Sequence, residues 1–105
     1  TIDKNNRLFY DTHTGQNVRS YHRGDSWYWI NNLAALCMFR LDKDKFKTYI
    51  DKIVKSSVKE ILWMGYSGGH AEVSSAKEQT SDGCLNQAWS NAFFIELMHE
   101  MYDDA

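Results

Sequence analysis

Two of the three helix-forming stretches of this sequence are apolar on almost every side, and this pattern constrains the fold more than any other feature. The first stretch runs from about Ser26 to Arg40, and the last runs from about Leu85 to Tyr102. A helix that is apolar nearly all round is buried on most of its sides. The apolar residues of the first stretch are Trp29, Ile30, Leu33, Ala34, Leu36, Cys37 and Phe39, and those of the last that we expect to face inward are Leu85, Ala88, Trp89, Ala92, Phe93, Ile95 and Leu97.

The middle stretch, from about Lys43 to Met64, predicts a half-solvated outer helix that Gly65 ends. One stripe of this helix, mostly apolar, is lined by Phe46, Ile50, Ile53, Ser57 and Ile61, and most of its lysines lie off that stripe. An outer helix between two buried ones is the layout of a concentric helical barrel. Three helices cannot close such a barrel, so the apolar surfaces of the first and last helices indicate missing neighbours. The predicted fold class is therefore all-α.

Two segments lack a helical period. Residues 1–24 are interrupted by Asn, Asp and Gly, which predicts a loop with at most one short strand or hairpin near Leu8 to Tyr10. Residues 65–83 form a second, longer loop. Loops beyond about 12–15 residues are uncommon in compact domains unless they are functional.

The 105 residues allow at most one domain, which we take as residues 1–105. The net charge is −2 with Lys and Arg scattered, which argues against nucleic acid as a partner, and no apolar run is long enough for a membrane span. Cys37 and Cys84 are too few for a disulfide framework; Cys37 is predicted to be a reduced core thiol, which favours the cytoplasm. The chain starts at Thr1 without a signal-peptide pattern, which indicates a processed chain or a piece of a longer one.

The segment "YHRGDSWYW", from Tyr21 to Trp29, combines rings with charged groups. His22 and Arg23 offer hydrogen-bond donors, and Trp27 offers a flat apolar face of the kind on which sugars stack. The segment therefore has two interpretations, a binding site or a helix start at which Asp25 is the N-cap.

The long loop carries Glu72 close to Gly68-Gly69, and a carboxylate in such a place is a candidate acid or base. The alternative is a solvated loop charge. His70 has no partner at metal-ligand spacing, so no metal and no cofactor are expected. At the start of the last helix, Gln87 needs a polar partner, and Trp89 is either a core residue or part of a site.

Together, "YHRGDSWYW", the Glu-bearing loop and "GCLNQAWSNA" resemble the C-terminal end of the amylo-α-1,6-glucosidase domain of glycogen debranching enzymes, in the glucoamylase-like clan. The resemblance covers about residues 18–102. The matching residues are Tyr21, His22, Gly24, Trp27 and Trp29 in the first motif, and Gly83, Cys84, Gln87, Ala88, Trp89 and Ser90 in the last. Tyr28 stands where the family usually has Pro, and Asp25 replaces a small hydroxyl residue.

The resemblance implies an (α/α)6 barrel, of which this chain is the last quarter, and hydrolysis of the α-1,6-linked glucose at glycogen branch points with inversion. It gives Glu72 the role of general base, while no residue here corresponds to the family's general acid. The residues expected to bind the α-glucan are His22, Arg23, Asp25, Trp27, Gln87 and Trp89. The remaining helices would come from the same longer chain or from a companion chain. A second hypothesis is a non-catalytic helical module that binds sugar or a partner subunit.

Overall fold

The computed structural model describes residues 3–10, 18–75 and 78–103. Three long helices dominate, as the sequence predicts: α2 (Tyr28–Asp42), α3 (Lys47–Lys59) and α4 (Ala88–Tyr102). A single helical turn, α1 (Val18–Tyr21), precedes them. After α3 the chain continues through a π-helical turn, Glu60–Met64, and Gly65 follows it as predicted.

A small antiparallel sheet joins the segment before α2 to the segment before α4. Its strands, in spatial order, are β1 (Ser26–Trp27), β2 (Val73–Ser74) and β3 (Ser81–Asp82). Trp27 pairs with Val73, and Val73 pairs with Asp82. The all-α prediction is therefore right for the three long helices and misses this sheet, and the predicted loop over residues 65–83 contains β2 and β3. Strands of two residues are too short to show an alternating pattern in the sequence.

The helices begin later than the sequence predicts. Trp27, in extended conformation with φ −93° and ψ 121°, is the N-cap of α2, so the prediction that Asp25 caps this helix was wrong. Strand pairing of Ser26 and Trp27 delays the helix until Tyr28. The other two predicted starts, Lys43 and Leu85, were early by a few residues.

The N-terminal segment forms turns rather than the short strand predicted near Leu8 to Tyr10. Within residues 3–10, the Asp3 and Asn6 side chains accept hydrogen bonds from the backbone N–H groups of Asn5 and Leu8 at 2.8 and 2.9 Å. Such bonds compete with strand pairing. The rest of the predicted N-terminal loop was also partly wrong, because α1 lies in it, and residues 11–17 lie outside the described part of the chain.

Helix α2 is the centre of the packing, because it contacts both α3 and α4. The buried cluster consists of Ala35, Leu36 and Leu97, with Ile53, Val54, Met98 and Met101 packed against it. At the surface, Arg40 of α2 donates two hydrogen bonds to the Glu100 carboxylate of α4, at 3.0 and 3.1 Å. The molecule is only 18 Å thick along its shortest axis, which leaves room for one layer of helices and little core.

Several apolar side chains that the sequence places in a core are exposed. Cys37 is exposed, so the prediction of a core thiol was wrong; both cysteines are free. On α4 and just before it, only Leu97 of the predicted inward residues is fully buried, while Leu85, Ala88, Trp89, Ala92 and Ile95 are exposed. No described element covers this face. Within the described residues, no helix is long and apolar enough to cross a membrane.

Candidate active site

A tight turn between α1 and β1 brings the aromatic residues of the site together. The Ser20 carbonyl oxygen accepts hydrogen bonds from the backbone N–H groups of Arg23, Gly24 and Asp25, at 3.0, 2.8 and 3.0 Å. The Ser20 hydroxyl donates to Asp25 Oδ2 at 3.0 Å. Asp25 is fully buried in this turn, and the bond from the Ser20 hydroxyl offsets part of the cost of burying its carboxylate.

Three rings form an aromatic wall, which we define as Tyr21, His22 and Trp27. The indole Nε1–H of Trp27 donates to the Tyr21 carbonyl oxygen at 2.8 Å. The His22 ring stacks nearly parallel to the indole, with centroids 5.4 Å apart, and the Tyr21 ring meets it edge to face at 4.5 Å. Trp27 is therefore fixed and only 8% exposed, whereas His22 faces solvent.

Glu72, directly before β2, is held beside this wall by contacts from three segments. Its backbone N–H donates to the Cys84 carbonyl oxygen at 2.8 Å, and its own carbonyl accepts from the Tyr28 N–H at 3.2 Å. The Tyr21 hydroxyl donates to Glu72 Oε1, and the Cys84 N–H donates to Glu72 Oε2 at 3.0 Å. Both the backbone and the carboxylate of Glu72 are thus fixed.

Gly83 provides the space for that carboxylate. Its φ is +70°, a left-handed conformation that glycine adopts without the steric cost of a side chain. A Cβ atom at this position would lie 2.6 Å from Glu72 Oε2. A larger residue would therefore strain the turn and push the Glu72 carboxylate out of place.

Tyr21 is kept in its neutral form. Burial, the hydrogen bond to Glu72 and the negative charge of Glu72 together raise the pKa of Tyr21 from 10.0 to about 12, and burial has the largest effect. A phenolate beside a carboxylate would be repelled by it, so the protonated hydroxyl is favoured. At any pH below about 10, Tyr21 is therefore a hydrogen-bond donor to Glu72.

A cleft of about 360 Å³ opens beside the aromatic wall. It is lined by Tyr21, His22, Trp27, Trp29, Ile30, Glu72 and Trp89. Among these described residues Glu72 is the only carboxylate. The Trp29 ring contacts the rings of Trp89 and Phe93, with centroid distances of 5.9 and 5.7 Å, and Trp29 of α2 and Trp89 of α4 both line the cleft. Such a lining suits a ligand with flat apolar faces, with one group placed for proton transfer.

The chain matches the model of a known protein family. The amylo-α-1,6-glucosidase family model matches residues 1–96, which include every residue of the cleft. The chain belongs to the amylo-α-1,6-glucosidase family. Neither the curated proteins nor the solved structures gave a match.

Membership of the amylo-α-1,6-glucosidase family confirms the resemblance seen in the sequence motifs, and the structure shows how those motifs meet. Four of the predicted site residues, His22, Trp27, Glu72 and Trp89, line one cleft. The hydrogen bond between Tyr21 and Glu72 joins positions 51 residues apart in the chain. The two motifs and the loop between them thus meet at one cleft.

The other three predicted binding residues lie outside the lining of the cleft and support local structure. The Arg23 guanidinium lies 5.6 Å from the centroid of the Tyr10 ring. The Gln87 side chain accepts from the Trp89 N–H at 3.5 Å and so caps α4. Asp25 belongs to the turn before β1.

Three residues that line the cleft are not among the site residues predicted from the sequence: Tyr21, Trp29 and Ile30. Tyr21 and Trp29 belong to the family motif, and that signal could have marked them. Ile30 carries no signal of its own, because an apolar residue near a helix start is typical of a core. In the described part of the chain, no three His, Cys, Asp or Glu side chains come together as a metal site would require.

Proposed function

We propose that this chain is a segment of a glycoside hydrolase that cleaves α-1,6-linked glucose at the branch points of an α-glucan such as glycogen, with inversion, and that Glu72 is the general base. Family membership supports the reaction class. The single observation that carries the role of Glu72 is its fixed carboxylate at the aromatic cleft, between the Tyr21 hydroxyl and the Cys84 N–H.

The contacts of Glu72 fit a base that activates water. Each carboxylate oxygen can accept about two hydrogen bonds, so the Tyr21 and Cys84 contacts leave capacity for a water on either oxygen. Both of those groups donate, so the carboxylate meets them as an acceptor, the form that a base requires. A fixed carboxylate also holds the water in one direction relative to the sugar.

The aromatic residues of the cleft suit the sugar itself. Trp89 presents the most exposed indole in the cleft, at 55%, and His22 presents an exposed ring. We infer that Trp89 and His22 contact the glucose ring, while Trp27 mainly holds Tyr21 in place through its 2.8 Å hydrogen bond to the Tyr21 carbonyl. Binding and proton transfer would then reside in different residues.

An inverting glycosidase needs a second carboxyl group, about 6.5–9.5 Å from the first, to protonate the leaving oxygen. We propose that this acid, and the helices that cover the exposed apolar side chains of α2 and α4, belong to the remainder of an (α/α)6 barrel. That remainder would be supplied by the same longer chain or by a companion chain. The two free cysteines favour the reducing cytoplasm as its location.

The test of this function uses the complete enzyme on a branched limit dextrin. We expect release of free glucose from branch points, and the first product seen by NMR should be β-glucose, because inversion of an α-linkage gives the β-anomer. Release of α-glucose as the first product would contradict inversion. Binding of the dextrin without any hydrolysis would instead favour the alternative, a non-catalytic sugar-binding module with the same aromatic cleft.

A further inference from the structure

A group of polar side chains is buried beneath the loop that carries Glu72. We define the buried anchor as Asn32 of α2, Ser57 of α3, Glu60 of the π-helical turn, His70 of the loop and Asn91 of α4. The first four are each no more than 1% exposed. None of the five lines the cleft, so the proposed reaction does not use them directly.

The His70 imidazole is the centre of the buried anchor. Its Nδ1 lies 2.8 Å from Glu60 Oε2, and its Nε2 lies 3.0 Å from Ser57 Oγ. The Ser57 hydroxyl donates to Asn32 Oδ1 at 3.0 Å, which continues the contacts to α2. A buried carboxylate is costly unless it is paired, so these contacts favour one arrangement of the four side chains. Each ring nitrogen thus has a polar atom within 3.0 Å; the contact at Nε2 is a hydrogen bond, whereas the contact at Nδ1 is a close approach to the Glu60 carboxylate without hydrogen-bond alignment.

The same side chains hold the backbone of the two residues before Glu72. The Ala71 N–H donates to Glu60 Oε2 at 3.1 Å. The His70 N–H donates to Asn91 Oδ1 at 3.0 Å. Residues 70 and 71 are therefore tied to the π-helical turn and to α4, and Glu72 follows them without an intervening residue.

The order Ser57–His70–Glu60 resembles a nucleophilic triad, but the surroundings do not suit one. Ser57 is only 1% exposed, and its hydroxyl donates to Asn32. The hydroxyl proton is therefore directed to the Asn32 amide, whereas a nucleophile would give its proton to the imidazole. The contacts of the buried anchor instead lead to the backbone of the loop.

We propose that the buried anchor is a positioning device: His70 and Glu60 fix the backbone of the loop so that the Glu72 carboxylate stands where it can activate water. The inference rests on the proposed function, because it takes Glu72 as the base. A displacement of about 1 Å can cost about 10²-fold in rate, even when it originates away from the chemistry. His70 and Glu60 are thus positioning residues that never touch the substrate.

The test uses a double variant of the complete enzyme, Glu60→Leu together with His70→Leu, in which both members of the buried pair are apolar. Such replacements often leave a protein folded. We expect kcat per folded molecule to fall about 10²-fold with KM changed less than about twofold, since only the base moves. Glu60→Gln keeps an acceptor for the Ala71 N–H and should retain kcat within about threefold.

The matched control replaces the exposed pair Arg40–Glu100 by two glutamines, which should leave kcat unchanged. The inference is overturned if the double Leu variant melts at a lower temperature but keeps its kcat, or if KM rises alone. If the double Leu variant does not fold, Asn91→Ala is judged by the same separation of kcat from KM.

Glu72→Gln, measured in parallel, separates the two proposals. If it is inactive while the double Leu variant is fully active, the positioning role is wrong and the proposed function stands. If Glu72→Gln is fully active, both proposals fall.

Discussion

At the scale of single residues, the contact between Tyr21 and Glu72 predicts how the effect of Tyr21→Phe on kcat depends on pH. Tyr21→Phe removes one donor from the carboxylate, and kcat should fall about tenfold, as for a lost hydrogen bond of about 1.4 kcal/mol. Because the pKa of Tyr21 is raised from 10.0 to about 12, its hydroxyl stays protonated at lower pH. The kcat of the unaltered enzyme divided by that of Tyr21→Phe should therefore be constant from about pH 5 to about pH 9. If this ratio falls as the pH rises within that range, Tyr21 ionises there and the prediction is wrong.

A second residue-scale prediction concerns substrate contact in the cleft. Trp89→Ala should raise KM about fivefold, equivalent to about 1 kcal/mol of lost stacking, and change kcat little. The matched control is Trp63→Ala, an equally drastic change at an exposed tryptophan outside the cleft lining. Steady-state kinetics of the complete enzyme measure both constants. An unchanged KM in Trp89→Ala would remove this residue from the binding surface.

At the scale of elements, the turn between β3 and α4 should be intolerant of any side chain at Gly83. Gly83→Ala places a Cβ atom 2.6 Å from Glu72 Oε2, so we expect kcat to fall on the order of 10²-fold through displacement of the carboxylate. Gly68→Ala is a matched control, because Gly68 also has a positive φ, +82°, but a Cβ there meets nothing within 4 Å. Both variants should lose some stability. Equal kcat values in the two variants would contradict the account.

The elements also show what a sequence can predict. The 3.6-residue period predicts α2, α3 and α4, and Gly65 predicts where the helical run after α3 ends. Both features depend on residues close together in the chain, so the sequence could predict them. The two-residue strands depend on contacts with distant segments, which no local pattern encodes, and the pairing of Ser26 and Trp27 with β2 is why α2 starts after Trp27 and not after Asp25. The family motifs predicted Glu72 and Trp27 as site residues, and both line the cleft. They could not indicate that Ser57, on the apolar stripe of α3, meets His70.

At the scale of the whole molecule, the exposed apolar side chains predict how the isolated 105-residue chain behaves. Ile95 is 65% exposed and Leu41 is 77% exposed, in a molecule only 18 Å thick. Contiguous apolar surface of more than a few hundred Å² usually marks an interface. We therefore expect self-association in sedimentation and no glucose release from a branched dextrin. A monomer that unfolds cooperatively, or turnover like that of a complete enzyme, would contradict an incomplete barrel.

The central claim is that Glu72 is the general base, and one comparison of kcat tests it most directly. Glu72→Gln in the complete enzyme keeps the size of the side chain and removes the proton acceptor. We expect kcat to fall about 10²–10⁴-fold with KM little changed, the usual contribution of a general base. Glu78→Gln changes an exposed carboxylate between β2 and β3 and should leave the enzyme fully active. If Glu72→Gln is active and Glu78→Gln is inactive, the base is Glu78 and its assignment to Glu72 is wrong. If both variants are fully active, residues 65–83 do not supply the general base.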